Sequence, residues 1–392
     1  MGSRNLRRKA IYASTAIIFP TGLLAVGNSA ADATAATITP QTTIPTPMLN
    51  AKVILSGASL KNTFMVNGVS KTEQLTQPDD ITRLGSMLYV AFQNNIGPMG
   101  QANANGDTAS TVVEFSPSGQ YMTQWSISGH IDGLTADPMR KELIVTANED
   151  GNSAMSTINP SGASGFQVQH YRYSEVLPHG GGTDSISIYH GQIYVSASAP
   201  TVATGPAVYS VYLDWATHVA KVSPVFYDNS MATIANMGAT GMTSLALTDP
   251  DSNEIVPSTS PRFVGDFVLD SQGDQEQIYV HNGGQPNQGL DVLKLSQSIN
   301  DTAWATSATG TLYVTDNHND VVEALSGNFM PGMAIVAVTP CDSNSAPATC
   351  PAPGYAANSL GVLNMFTGNI TPVTVSGLTS LDPTGLLFEP NA

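Results

Sequence analysis

Short runs of large apolar, β-favouring residues recur along the chain. They read Leu88-Tyr89-Val90, Leu143-Ile144-Val145, Ile193-Tyr194-Val195, Ile278-Tyr279-Val280, Leu312-Tyr313-Val314 and Leu386-Leu387-Phe388. Most follow a polar turn and end in small or polar residues. A weaker strand precedes most of them: Asp80–Leu84, Asp132–Ala136, Asp184–Ile188, Asp301–Ala305 and Leu378–Pro383. Turns such as Asp137-Pro138 and His190-Gly191 join the pairs into hairpins. Further strands follow at Ser110–Phe115 and Ala207–Leu213, and Gly119–Trp125 reads as an outermost strand. Four antiparallel strands, repeated radially, make the blades of a propeller. The pattern predicts an all-β, six-bladed β-propeller over residues 50–392.

The spacing is uneven around 227–262, which reads as an insertion or a strand lent to a neighbouring blade. A seven-blade count would take Thr243–Leu247 as a separate inner strand. The chain ends soon after Leu386, so the sixth blade needs outer strands from elsewhere. Asn62–Asn67 and Ser70–Leu75, separated by Gly68, are the expected donors. Pairing the N- and C-terminal strands in one blade would close the ring and remove its edges.

The N-terminus carries a targeting pattern. Arg4, Arg7, Arg8 and Lys9 precede an apolar stretch from Ile11 to Val26, and Ala31-Asp32-Ala33 supplies a small-residue cleavage site. Residues 1–33 are therefore expected to be a signal peptide. Residues 34–49, rich in Thr and Pro and without charge, are expected to be a linker. The implied location is secreted, extracellular or associated with the cell envelope, with no transmembrane span after cleavage. An oxidising compartment would pair Cys341 with Cys350 as a loop disulfide.

Only 11% of residues are charged and the formal net charge is −16. Removing the basic N-terminus makes the mature chain more acidic still. Such a surface repels nucleic acid and anionic membranes and attracts cations.

One stretch resembles a known family. Ile131-Asp132-Gly133-Leu134-Thr135-Ala136-Asp137-Pro138, followed by Leu143–Asn148, is similar to the repeat of NHL-repeat and gluconolactonase-like six-bladed propellers. Thr311–Asn317 matches the second half of that repeat, and Pro383–Phe388 its middle. The resemblance implies a propeller. For gluconolactonase-like members it implies a divalent cation held at the tunnel mouth by Glu, Asn and Asp. Asp132 falls on one such position. The N-terminal glutamate has no clear counterpart, since Glu73 falls in an expected outer strand.

Hairpin geometry places the start of an inner strand and the end of its partner at one end of the ladder. Asp79, Asp80, His130, Asp132, His179, Asp184, Asn300 and Asp301 would gather there from strand starts. Gln93, Asn94, Asn148, Glu149, Ser198, His281, Asn282, Asp316, Asn317, Glu389 and Asn391 would join them from strand ends. The candidate metal set is His130, Asp132, His179, Asp184, Asn148 and Asn317. Oxygen ligands suit Ca²⁺ or another hard divalent cation, and added imidazole suits a transition metal. Asp132 is the candidate general base. The alternative is that each Asp only caps its turn.

Asp249–Glu254 reads as a solvated turn or a Ca²⁺-binding loop, and Asp270–Asp274 as a hairpin turn. Gly180-Gly181-Gly182 precedes a strand, so it is not a phosphate loop. No G-x-S-x-G or HExxH motif is present. Two functions remain. One is an exported binding or interaction module for a small molecule, polysaccharide or protein. The other is a divalent-metal-dependent hydrolase or lyase, lactonase-like, acting at the channel mouth.

Overall fold

The computed structural model describes residues 45–340 and 358–391. The expected signal peptide, most of the linker and the Cys341–Cys350 pair lie outside the described residues. Among the described residues the regular structure is all β apart from one helical turn at Gly57–Ser59.

The first strand is β1 (Met48–Ser56), and β2 (Lys61–Val66) and β3 (Val69–Gln74) follow as a hairpin. A four-stranded antiparallel sheet comes next, made of β4 (Pro78–Leu84), β5 (Met87–Phe92), β6 (Ala109–Phe115) and β7 (Tyr121–Ser128). The same meander recurs in β8 (Ile131–Asp137), β9 (Glu142–Ala147), β10 (Ala154–Ile158) and β11 (Val168–Tyr173). It recurs again in β12 (Ile186–Tyr189), β13 (Gln192–Ser196), β14 (Pro206–Asp214) and β15 (Val219–Tyr227). The outer strands β11 and β15 touch in parallel, which joins those two meanders into one eight-stranded sheet.

A small hairpin, β16 (Met231–Ile234) and β17 (Met242–Ser244), then adds to the outer edge of the next meander. That meander is β18 (Pro250–Ile255), β19 (Phe267–Ser271), β20 (Glu276–His281) and β21 (Gly289–Lys294). Thr243-Ser244 therefore sits on an outer edge and is not the inner strand of a seventh unit.

The last two sheets interleave along the chain. β22 (Ile299–Ala305) pairs with β25 (Met333–Val338), which continues to β26 (Ser359–Leu363) and β27 (Ile370–Pro372). In between, β23 (Gly310–Asp316) and β24 (Val321–Ser326) cross to the final sheet. They lie there between β29 (Pro383–Pro390) and β1, with β28 (Thr374–Ser376) at the outer edge beside β1. Three expectations change here. The strand Asp301–Ala305 is not the hairpin partner of Leu312-Tyr313-Val314. The sheet that contains β29 takes its N-terminal strand from Met48–Ser56, while Asn62–Asn67 forms its own hairpin with Ser70–Leu75. The two terminal strands share a sheet, but β23 and β24 separate them.

The strands β4, β8, β12, β18, β22 and β29 neighbour one another in that order, and β29 neighbours β4. The core consists of the apolar layers between successive sheets, which explains the sequence motif. In a strand buried on both faces, alternate residues enter different layers. Leu88 and Val90 pack against Tyr313 and Val322 of the preceding sheet, while Tyr89 packs with Leu143 and Val145 of the next. Ile278 and Val280 face back and Tyr279 faces forward in the same way. The motif thus marks any strand sandwiched between two sheets. It occupies the second position in β5, β9, β13 and β23, the third in β20 and the innermost in β29.

Candidate functional site

A recurring local irregularity builds the site. In β4, Asp79 and Asp80 together oppose one residue of β5, a β-bulge. The same two-against-one step occurs at Asp132-Gly133, Asp251-Ser252, Asn300-Asp301 and Thr384-Gly385. Asp184-Ser185 occupies the equivalent place just before β12, where the Asp184 N–H donates to the Ser196 carbonyl at 3.1 Å. The bulge turns its first residue toward a shared space. Asp79, Asp132, Asp184, Asp251, Asn300 and Thr384 all line one cavity of about 1040 Å³.

The second bulge residue has a different task where it is Asp. Asp80 accepts the N–H of Leu134, on the neighbouring inner strand, at 2.7 Å, and that of Ile81 at 2.7 Å. Asp301 accepts the N–H of Leu386 on its neighbour at 2.6 Å, the N–H of Thr302 at 2.6 Å and the Ser252 hydroxyl at 2.8 Å. These two carboxyls fasten inner strand to inner strand.

His130, Asp132 and Glu149 converge on the cavity wall, with one ligand-type atom from each within 4.8 Å of the others. His130 Nδ1 lies 2.5 Å from the Ile96 carbonyl, so that nitrogen carries the proton. Nε2 then points at Asp132 Oδ1, 3.0 Å away, with Glu149 Oε1 at 3.8 Å. Gln93 Nε2 donates to Asp132 Oδ1 at 3.1 Å and to the Ile131 carbonyl at 3.2 Å. The other oxygen, Asp132 Oδ2, is buried and has no hydrogen-bond partner.

Burial pushes the Asp132 carboxyl well above the usual carboxylate range, and the nearby Glu149 and Asp150 charges add to this. Burial likewise pushes Glu149 up to about 8, with Asp184 adding and His130 opposing. Asp184 and Asp251, hydrogen-bonded to each other, are both raised, first by burial; repulsion from Asp132 adds most at Asp184, and from Asp184 itself at Asp251. The wall is thus short of positive charge. Arg140 is its one permanently cationic side chain among the described residues, and it is already paired with Asp137 at 2.7 Å. The described lining contains no Phe, Tyr or Trp.

The predicted residues fall into distinct places. His130, Asp132, Asp184 and Asn317 line the cavity. Asn148 is buried and brackets His130: its Oδ1 accepts the His130 N–H at 3.0 Å, and its own N–H donates to the His130 carbonyl at 2.7 Å. Gly129 makes room for this, because a Cβ there would stand 2.6 Å from Asn148 Oδ1 and its φ is +102°. His179 is fully buried, with Nδ1 2.9 Å from the Tyr209 hydroxyl and Nε2 2.7 Å from the Gly182 carbonyl. Both nitrogens are occupied and the residue does not line the cavity, so it holds a loop instead of a ligand. His281 and Glu389 are also away from the cavity. They end a third strand and an innermost strand, which run opposite to the second strands.

Asp251 and Glu254 were not expected here. Asp249–Glu254 is largely the inner strand β18, not a solvated turn. Its signal was the acid-small pair Asp251-Ser252 ahead of Ile255, at the same spacing as Asp184-Ser185 ahead of Ile188.

No family model matches the chain, and no curated protein matches it. Among solved structures it is similar to one from a nidogen/laminin complex, at 9% identity, covering 87% of this chain and 98% of that one, TM-score 0.46. It is similar to the periplasmic gluconolactonase PpgL of Pseudomonas aeruginosa, at 13% identity over 88% and 99% of the two chains, TM-score 0.43. It is also similar to the WD40 β-propeller domain of Doa1, at 10% identity over 79% and 86%, TM-score 0.36. At these TM-scores the likenesses say nothing about the chemistry of this chain, which has to come from its own residues.

Proposed function

We propose that the chain is an exported six-bladed β-propeller that holds a divalent cation on His130, Asp132 and Glu149. The channel would present that cation to a small, uncharged, polar ligand, as a metal-dependent hydrolase or lyase. One observation carries this reading. Asp132 Oδ2 is buried without a partner beside an imidazole whose other nitrogen is already tied down. A ligating histidine commonly donates its second N–H to a carbonyl in this way, which fixes the tautomer. Two carboxylates and one imidazole suit a cation that accepts both oxygen and nitrogen.

The six meanders, with inner strands neighbouring in a circuit, support the six-bladed count. Three protein ligands on the wall of an open cavity leave coordination positions for a ligand. The cation would polarise an ester or lactone carbonyl there. With Asp132 among the ligands, the proton-accepting role passes to a carboxyl that faces it, Asp184. The acidic wall argues for a neutral substrate, because an anion would meet repulsion from every side.

The test is hydrolysis of a panel of neutral lactones and esters by protein stripped with a chelator and by the same protein reloaded with Ca²⁺, Mn²⁺ or Zn²⁺. Turnover that needs the cation and is lost in Glu149→Gln supports the reading. Cation binding without turnover on any substrate would favour the second reading, a cation-dependent binding module. The supply of polar residues from all six inner strands suits that reading.

A further inference from the structure

Three carboxyl groups lie inside the sheets, away from the cation ligands. Asp228, after β15, is 0% exposed, and neither of its oxygens has a hydrogen-bond partner. Asp270, in β19, is 1% exposed; one oxygen accepts the Thr302 hydroxyl at 2.8 Å and the other has no partner. Glu323, in β24, is 1% exposed with Oε2 unpartnered.

The titratable groups that face them offer no positive charge. Asp228 feels Asp274 and the Tyr209 phenol. Asp270 feels Asp301, Glu254 and the Tyr279 phenol; the Thr302 hydroxyl that donates to it accepts in turn from Gln277 at 3.0 Å. Glu323 feels Asp316. A buried ionised carboxylate with no cation and an unmet oxygen is strongly unfavourable. A neutral carboxylic acid of the same shape costs far less.

We propose that Asp228, Asp270 and Glu323 are held as neutral acids within the fold, which suits the folded protein to an acidic medium. Burial points the same way, pushing their pKa values up to about 7, 8 and 9 in that order. The sign follows from linkage. A carboxyl whose pKa is higher in the folded state stays protonated there while the unfolded chain releases its proton. Stability is therefore greatest below the unfolded value near 4 and falls as pH rises toward the folded value.

The test is the melting temperature of the full chain from about pH 4 to about pH 9. It is run beside the Asp228→Asn, Asp270→Asn, Glu323→Gln triple variant, whose amides imitate the neutral acids. The wild type should melt lower as pH rises. The variant should lose much of that slope and exceed the wild type at the alkaline end. Parallel curves, or a wild-type curve that is flat or rises with pH, would overturn the proposal. If the triple variant does not fold, infrared spectra of the wild type decide. The carbonyl band of protonated carboxyl groups should persist in the folded protein at about pH 6, where exposed carboxyls are ionised. Its absence would overturn the proposal equally.

Discussion

Nε2 of His130 stands 3.0 Å from Oδ1 of Asp132, while Nδ1 of the same ring lies 2.5 Å from the carbonyl of Ile96. With the Nδ1 proton committed to that carbonyl, a neutral ring turns a lone pair toward a carboxylate. A proton shared between the two groups, or a cation, makes that approach favourable. A divalent cation would also satisfy the orphaned Oδ2 of Asp132, which a proton on the ring cannot reach.

Gln93 tests how the site is held. Its amide fixes Asp132 and the Ile131 carbonyl from the neighbouring sheet, and it is not itself a member of the three-residue group. Gln93→Leu should weaken cation affinity by about 10–100-fold and leave the far-ultraviolet circular dichroism unchanged. Affinity equal to the wild type, by calorimetric titration, would show that Asp132 needs no such support.

Asp301 tests the clasp between inner strands. Asp301→Ala would strand the N–H groups of Leu386 and Thr302 and the Ser252 hydroxyl in a buried setting. The expected loss is about 3 kcal/mol in denaturant unfolding. Thr384→Ala, which removes one hydroxyl bonded to the Pro78 carbonyl at 3.2 Å and to the Thr315 hydroxyl at 2.9 Å, should cost less than half as much. Equal costs would show that the three buried bonds to Asp301 carry no more than the single hydroxyl of Thr384.

His281 gives a pH dependence of the same sign as the buried acids, beginning from a higher unfolded value. Its two nitrogens lie 2.6 Å from Asp266 and 3.1 Å from Asp291. The hydrogen bond to Asp266 contributes most to raising its pKa to about 9. A histidine raised in the folded state contributes stability that is full below about pH 6.5 and lost as pH climbs through about 9. His281→Gln should lower the melting temperature at about pH 6 and change little at about pH 10. The difference between the two melting curves, plotted against pH, checks this.

Much of the architecture was legible because burial on both faces forces alternate apolar residues into different layers. Leu88 and Val90 against Tyr89 is one case, and Leu312 and Val314 against Tyr313 is another. The motif could not reveal strand position, since β20 and β29 carry it with different neighbours from β5. The crossing of β23 and β24 into the last sheet was hidden for the same reason: pairing partners are set by packing between distant segments.

In the site, His130, Asp132 and Asp184 were legible as polar residues at strand starts. Glu149 was placed at the same mouth but left out of the ligand set. His179 looked equivalent to His130, and only the contacts with Tyr209 and Gly182 separate the two. Asp251 was missed because a proline among five polar residues read as a turn, although a bulge lets such a stretch open an inner strand.

The most direct measurement is the metal content of the purified mature protein by mass spectrometry, beside a His130→Ala, Asp132→Ala double variant that melts as a folded protein. One tightly held divalent ion per chain in the wild type, absent from the variant, is the predicted result. Wild-type protein that holds no stoichiometric ion after dialysis against Ca²⁺, Mn²⁺ or Zn²⁺, or a variant that retains one, would contradict a cation site on His130, Asp132 and Glu149.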